Sequence, residues 1–260
     1  MNRDEMLKEM GLTPLWHLRG ARAQTPVLEA ETAAVSDLTP APSAAPADPS
    51  LVTRRASPVL DDRRMAIMRM DWTTLKDTVA GCRDCALHAR RNKTVFGVGD
   101  ENADWMFVGE GPGADEDAQG EPFVGQAGKL LDNMLAAIDL TRRKDVFICN
   151  VVKCRPPGNR NPEPDEALRC EPYLQRQIEL VKPKLIVALG RVAALNLLAR
   201  EASIASLRGK LLEYKGTPLI VTYHPAYLLR NLPDKAKAWE DLCFAVKTMS
   251  ALRSAATAPT

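Results

Sequence analysis

Four short runs of this chain are apolar from end to end. Asp104–Gly109 holds Trp105, Met106, Phe107 and Val108; the others are Asp145–Val152, Lys184–Gly190 and Pro218–Thr222. A strand with one wet face alternates apolar and polar residues, whereas a strand buried on both faces does not. Helical patterns separate these runs. They lie at Trp72–Ala80, Ala127–Leu140 (with Leu130, Leu131, Met134, Leu135 and Ile138 on one face), Pro164–Val181, Arg191–Arg200 and Asp234–Leu252. Buried strands joined by helical crossovers pair in parallel. The pattern therefore predicts an α/β fold of three layers, α/β/α, with a central four-stranded parallel sheet. With 260 residues, 45% of them hydrophobic, the chain is long enough for such a domain plus extra segments.

The rest of the chain reads differently. Residues 1–19 suit a short helix, with Met6, Leu7, Met10 and Leu15 as a weak apolar stripe. That segment is either a frayed terminus or a peptide that docks on a protein partner. Residues 20–70 read as a disordered linker. Between Thr39 and Pro49, eight of eleven residues are Ala or Pro, too little apolar surface to offset ordering. The domain is expected over residues 71–251, with a disordered tail at 252–260. Formal net charge is only +2, so global charge does not argue for nucleic acid. The start lacks the apolar run of a signal peptide, and no apolar stretch nears the ~18 residues that span a membrane. The chain is expected to be cytoplasmic.

In a reducing compartment clustered cysteines indicate a metal or redox site rather than disulfides. Cys82 and Cys85 form a CxxC before the first strand, and Cys154 and Cys170 follow the second with fifteen residues between them. Four thiolates from two loops can hold zinc or a [4Fe–4S] cluster. Because the second pair is not a CxxC, an ordinary zinc ribbon fits less well. Cys149 and Cys243 lie among apolar residues and read as small core side chains.

Ligands of parallel α/β sheets bind beyond the carboxyl ends of the strands. Three of these exits carry chemistry: Gly109-Glu110-Gly111-Pro112-Gly113, Asn150, and Tyr223-His224-Pro225. The first loosely fits a dinucleotide fingerprint. It fails as one, because Asp115, Glu116 and Asp117 would repel a pyrophosphate and Pro112 lacks an N–H. Phe123 lies in a polar loop, where it either plugs the core or offers a stacking surface. Together with the Asn150 amide and His224 it describes a pocket for a flat heterocycle bearing carbonyl oxygens.

These residues resemble the family-4, iron–sulfur uracil-DNA glycosylases. The resemblance rests on GEGPGADED at Gly109–Asp117, PFVGQAGKLL at Pro122–Leu131, NVVKCRPP at Asn150–Pro157, HPAYLLR at His224–Arg230, and the four cysteines. It covers roughly Asp71 to Met249 and leaves residues 1–70 outside. It implies a monomeric enzyme of base excision repair that flips uracil from single- or double-stranded DNA and hydrolyses its N-glycosidic bond. Cys82, Cys85, Cys154 and Cys170 would hold a structural [4Fe–4S] cluster. Glu110 and Gly111 would form the first active-site motif. Phe123 would stack on uracil, Asn150 would read its edge, and His224 would donate to O2. Glu116 would crowd C5 against thymine, and Asn159 would be a further polar residue of the site. Leu228 and Leu229 read either as a wedge for the vacated stack or as ordinary helix packing. Arg90, Arg91, Lys93, Arg155, Arg160 and Arg230 are candidates for phosphate contact.

The best-known members of the superfamily carry Asp where this chain has Gly111, so the attacking water would be held by backbone or by Glu110. A related subclass traps DNA on a loop His, and no His lies between Asn150 and Pro218. Two other readings compete: a non-catalytic iron–sulfur DNA-binding module, and a nucleotide-binding oxidoreductase. The first would not require Asn150, Phe123 and His224 to converge, and the acidic triplet disfavours the second.

Overall fold

The structure, a computed structural model, describes residues 58–257. The readings of residues 1–19 as a docking peptide and of 20–57 as a linker lie outside the described residues. The helices are α1 (Pro58–Ile67), α2 (Trp72–Gly81), α3 (Ala114–Gln119), α4 (Gln126–Ala136), α5 (Pro164–Val181), α6 (Arg191–Leu198), α7 (Ile204–Leu207), α8 (Pro225–Leu228) and α9 (Asp234–Thr257). The strands are β1 (Val98–Gly99), β2 (Trp105–Gly109), β3 (Val146–Asn150), β4 (Leu185–Leu189), β5 (Leu212–Tyr214) and β6 (Thr217–Thr222).

The expected four parallel strands form the middle of one sheet, in the order β3-β2-β4-β6. Two antiparallel edge strands, β1 on β3 and β5 on β6, bring the sheet to six. Strands of two and three residues carry no readable alternation, which is why the sequence pattern does not show them. Every residue of β2, β3 and β4 is buried, as all-apolar runs require.

Successive strand residues point to opposite faces, and the core divides accordingly. Met106, Val108, Phe147, Cys149, Ile186 and Ala188 meet Leu75 and Val79 of α2, Leu174 and Ile178 of α5, and Ala193 and Leu197 of α6. Trp105, Phe107, Ile148, Leu185, Val187 and Ile220 meet Leu131 and Leu135 of α4 and Ala245 and Met249 of α9. Helices thus cover both faces, as the three-layer expectation had it. Below the sheet, Arg253 of α9 pairs with Asp104 and Asp145, and Lys184 joins through Asp104. This network ties the amino ends of β2, β3 and β4 to the last helix.

Several boundaries differ from expectation. The ordered fold starts ahead of Asp71, because α1 docks on α5. Arg64 donates to Gln175 Oε1 (2.7 Å) and Glu171 Oε2 (2.6 Å), and Arg63 donates to the Arg169 carbonyl (2.8 Å). Two adjacent arginines in a polar stretch give no apolar period, so only their partners reveal the helix. α4 stops at Ala136 instead of Leu140, and Asp139 turns the chain with φ 59°. α6 ends at Leu198, where Ala199 adopts φ 50°. α9 continues past Leu252 to Thr257. Among the described residues no helix is long and apolar enough to cross a membrane.

Candidate active site

Parallel registry sets the rim. Gly109 of β2 pairs with Asn150 of β3, and Leu189 of β4 with Thr222 of β6, so the four strands end together. Above them opens a cleft of about 420 Å³, walled by Glu110, Gly111, Glu116, Phe123, Asn150, Asn159, His224, Tyr227 and Arg230 among others. Eight of these, all but Tyr227, are sequence-predicted site residues, and they meet in one place.

At its floor Asn150 is 1% exposed, and its Oδ1 has no hydrogen-bond partner in the protein. A buried orphan acceptor costs about 1–3 kcal/mol unless something fills it, so this oxygen suits an N–H supplied by a ligand. Gly109 is a requirement of the same arrangement. A Cβ there would fall 2.4 Å from Asn150 Oδ1 and 2.6 Å from the Phe123 ring.

Phe123 forms a wall and is 5% exposed. Its backbone takes φ 55°, a left-handed conformation that costs a non-glycine residue roughly 1–3 kcal/mol. Arg142 holds it there by donating to the Pro122 carbonyl (2.8 Å) and the Phe123 carbonyl (2.7 Å). α4 begins so close behind that a Cβ on Gly128 would lie 1.7 Å from the Phe123 carbonyl oxygen. The sequence reading missed Arg142, because nothing local marks an arginine that bonds main chain nineteen residues away.

Glu116 lies in the wall, but its carboxylate is already engaged. Oε2 accepts from Gly113 N–H (3.0 Å), and Oε1 accepts from Val124 N–H (2.9 Å) and Gly125 N–H (3.1 Å). It therefore clamps the glycine-rich loop to the Phe123 loop. Asp117, 1% exposed, accepts from Asn92 and Lys93 backbone N–H groups. The acidic run after the glycines is a set of loop anchors.

Across from Phe123, the His224 ring lies 5.5 Å away between centroids. His224 caps α8: Ala226 N–H donates to its Nδ1 at 3.1 Å. A nitrogen that accepts carries no proton, so in the neutral ring Nε2 bears the hydrogen. Burial, with Arg230 second, pushes its pKa down to about 4, against a smaller opposing effect of Glu116. The ring is thus a neutral Nε2–H donor near pH 7.

Glu110 is half-buried, and burial raises its pKa. Of the two carboxylates in the cleft it is the one not bonded to backbone N–H groups. Gly111 has Val152 beside it; a Cβ would meet Val152 Cγ2 at 2.8 Å. Asn159 is exposed with φ 56°, and Arg155 Nε donates to its Oδ1 (2.7 Å).

The wedge expectation divides. Leu228 is 1% exposed and packs with Met134, Ala238 and Leu242, so it is core and cannot enter a base stack. Leu229 is 41% exposed, and so is Leu232 at 60%, which the sequence reading passed over. The basic candidates divide too. Arg160 is bound bidentately to Glu166 (2.7 and 2.8 Å), which makes it a clamp on the loop before α5. Arg91 donates to Cys154 Sγ (3.2 Å) and the Ala80 carbonyl. Arg230 is exposed at the cleft mouth.

Cys82, Cys85, Cys154 and Cys170 all line a second, small cavity between α2, α5 and the loop after β3. All are free thiols. Lys153 N–H donates to Cys170 Sγ (3.3 Å), so two of the four sulfurs receive N–H donors, as thiolate ligands commonly do. Among the described residues no three His, Cys, Asp or Glu side chains stand ready for a single ion. An all-thiol donor set from two loops, with N–H donors at two of its sulfurs, fits a metal or an iron–sulfur group. Of the other cysteines, Cys149 is core as expected, and Cys243 is partly buried.

A three-layer α/β fold here brings an amide, a neutral imidazole and an aromatic ring together above its strand ends, groups that can hydrogen-bond to and stack on a flat base. The chain belongs to the uracil-DNA glycosylase superfamily, whose family description, Uracil DNA glycosylase superfamily, matches residues 96–243. Within it the chain resembles the type-4 branch. It is 51% identical over 159 residues to the Type-4 uracil-DNA glycosylase of Archaeoglobus fulgidus, covering 58% of this chain and 79% of that one. It is 45% identical over 165 residues to the Type-4 enzyme of Thermotoga maritima, covering 63% and 85%. A Type-5 uracil-DNA glycosylase of Pyrobaculum aerophilum is 32% identical over 151 residues, covering 51% and 66%.

Proposed function

We propose that this chain is a type-4 uracil-DNA glycosylase of base excision repair, which releases uracil from DNA and leaves an abasic site. The observation that carries this is the unpartnered, buried Asn150 Oδ1 beside a neutral His224 and the Phe123 ring. Its type-4 relatives, by their names, do this chemistry.

Uracil flipped into the cleft stacks on Phe123. Its N3–H donates to Asn150 Oδ1, which removes the orphan, and its O4 accepts from Asn150 Nδ2. Cytosine has a lone pair at N3 and meets that oxygen with repulsion. Glu116 and the two loops it clamps close the wall against the C5 methyl of thymine. As the C1′–N1 bond breaks, its electron pair passes to N1 and O2 of uracil. His224 Nε2–H donates to O2 there, in the manner of an oxyanion hole. Glu110 holds the water that adds to C1′ and takes its proton, its raised pKa suiting a base. Asn159 and Arg155 border the DNA path, Arg230 meets phosphate, and Leu229 fills the gap left in the stack.

Cys82, Cys85, Cys154 and Cys170 would hold a [4Fe–4S] cluster, which when bound braces the loop from Cys154 to Cys170 without redox work on the base. Free thiols suit a reducing compartment, the cytoplasm. The enzyme acts as a monomer on single- or double-stranded uracil DNA.

The test is an oligonucleotide with one U·G mismatch, incubated with protein and then with alkali, beside T·G and C·G controls. Alkali-dependent cleavage at uracil alone supports the reading. A brown, folded protein that binds DNA but cuts nothing would overturn it in favour of a non-catalytic DNA-binding module.

A further inference from the structure

Lys153 is buried to 1% exposure. Lysine is almost never so buried without a carboxylate partner. Yet the ammonium makes its two close hydrogen bonds to neutral oxygens: the Asn150 carbonyl at 2.8 Å and Gln177 Oε1 at 2.6 Å. Gln177, 0% exposed on α5, donates in turn to the Phe96 carbonyl at 2.9 Å. The main chain of Lys153 is fixed as well: its N–H donates to Cys170 Sγ and its carbonyl accepts from Val95 N–H at 2.8 Å. An ammonium buried this way is expensive to keep. The apolar alternative, a methionine of similar length, would fill the same space more cheaply.

What the ammonium does is reach back three residues and bind the carbonyl of the base reader. The Asn150 carbonyl is the last acceptor of β3, where the ladder no longer supplies partners. Binding it fixes the Asn150–Val151 peptide plane, and with it the direction of the Asn150 amide. The Lys153–Gln177–Phe96 chain anchors that plane to α5 and to the segment entering β1. We propose that Lys153 is a positioning residue for base recognition, holding Asn150 at the angle at which its amide meets the uracil edge. This rests on the glycosylase reading above.

The test is a double-mutant cycle of Lys153→Met with Asn150→Ala in the full chain. It is read by uracil excision, by binding to DNA carrying an abasic site, and by iron content. Lys153→Met is expected to lower kcat/KM on uracil DNA by on the order of tenfold to hundredfold, the size of a lost charged hydrogen bond. Abasic-site binding and iron per chain should stay at the wild-type level, because neither uses the Asn150 amide. In the Asn150→Ala background the further loss should be near onefold, since the positioned group is gone.

Additive losses, or parallel falls in abasic-site binding and iron, would mean a general structural role and overturn the inference. If Lys153→Met fails to fold, Gln177→Leu removes the second acceptor and leaves the Asn150 bond. Its excision loss should again vanish in the Asn150→Ala background, and persistence of that loss overturns the inference. A wild-type protein that removes no uracil fails at the earlier step and takes this inference with it. Wild-type activity with additive losses sinks this inference alone.

Discussion

His224 joins two sequence-adjacent facts into one chemical state. Pro225 starts a short helix, so the residue before it becomes the cap, and capping assigns the proton to Nε2. His224→Ala should lower kcat by about 10²–10³-fold, the cost of one oxyanion donor, with abasic-site binding little changed; single-turnover kinetics would show it. The protein should also respond to acid through this residue. With the folded pKa near 4 and the ordinary value at 6.5, the unfolded chain takes up the proton first. Stability therefore falls as pH drops through that window. A His224→Gln variant should show a flatter urea midpoint between pH 6.5 and 4. As the proposed base Glu110 must be ionised, and burial raises its pKa. Activity should therefore rise along an acid limb above the ordinary carboxylate range. Glu110→Gln should reduce kcat by roughly 10²–10⁴-fold and move the remaining limb down toward that of His224.

Loops and helix ends carry the second set of consequences. The Phe123 turn is strained and is held from outside by Arg142, nineteen residues further on, and by Glu116 of the preceding helix. Arg142→Met should raise KM for uracil DNA more than it lowers kcat, because a loosened wall binds the base poorly in ground and transition states alike. The two leucines after His224 should separate cleanly. Leu228→Ala empties core space under α8 and should cost about 2–5 kcal/mol of stability. Leu229→Ala should leave the melting temperature alone and slow excision from duplex more than from single strands, since only a duplex has a stack to fill. Equal effects on both substrates would remove Leu229 from that role.

For the molecule as a whole, α1 belongs with the cysteine cavity. Arg63 pairs with Asp84, which stands between Cys82 and Cys85, and its guanidinium lies 4.9 Å from the centre of the Tyr173 ring that lines the cavity. A chain beginning at Asp71 should melt lower, by roughly 2–4 °C for each kcal/mol lost, and should lose iron to a chelator faster than one beginning at Arg54. Catalysis should survive removal of residues 1–53. Equal rates of iron loss from the two shortened chains would show that α1 does not shield the cysteines.

Sequence alone determined the layers and most of the candidate site. Short apolar runs without alternation, separated by helical patterns, fit strands buried on both faces, and glycine, Asn and His placed at strand exits converge once those strands are parallel. What it could not determine were contacts between residues far apart along the chain. Leu228 and Leu229 are the same residue type side by side, and only packing against Met134 and Leu242 tells core from surface. Nothing in the local sequence singles out Arg63, Arg142 or Lys153 until their distant acceptors are known. Periodicity reports which face of an element is buried, whereas a long side chain bonding a remote carbonyl leaves no period, so its role was decided by the tertiary structure.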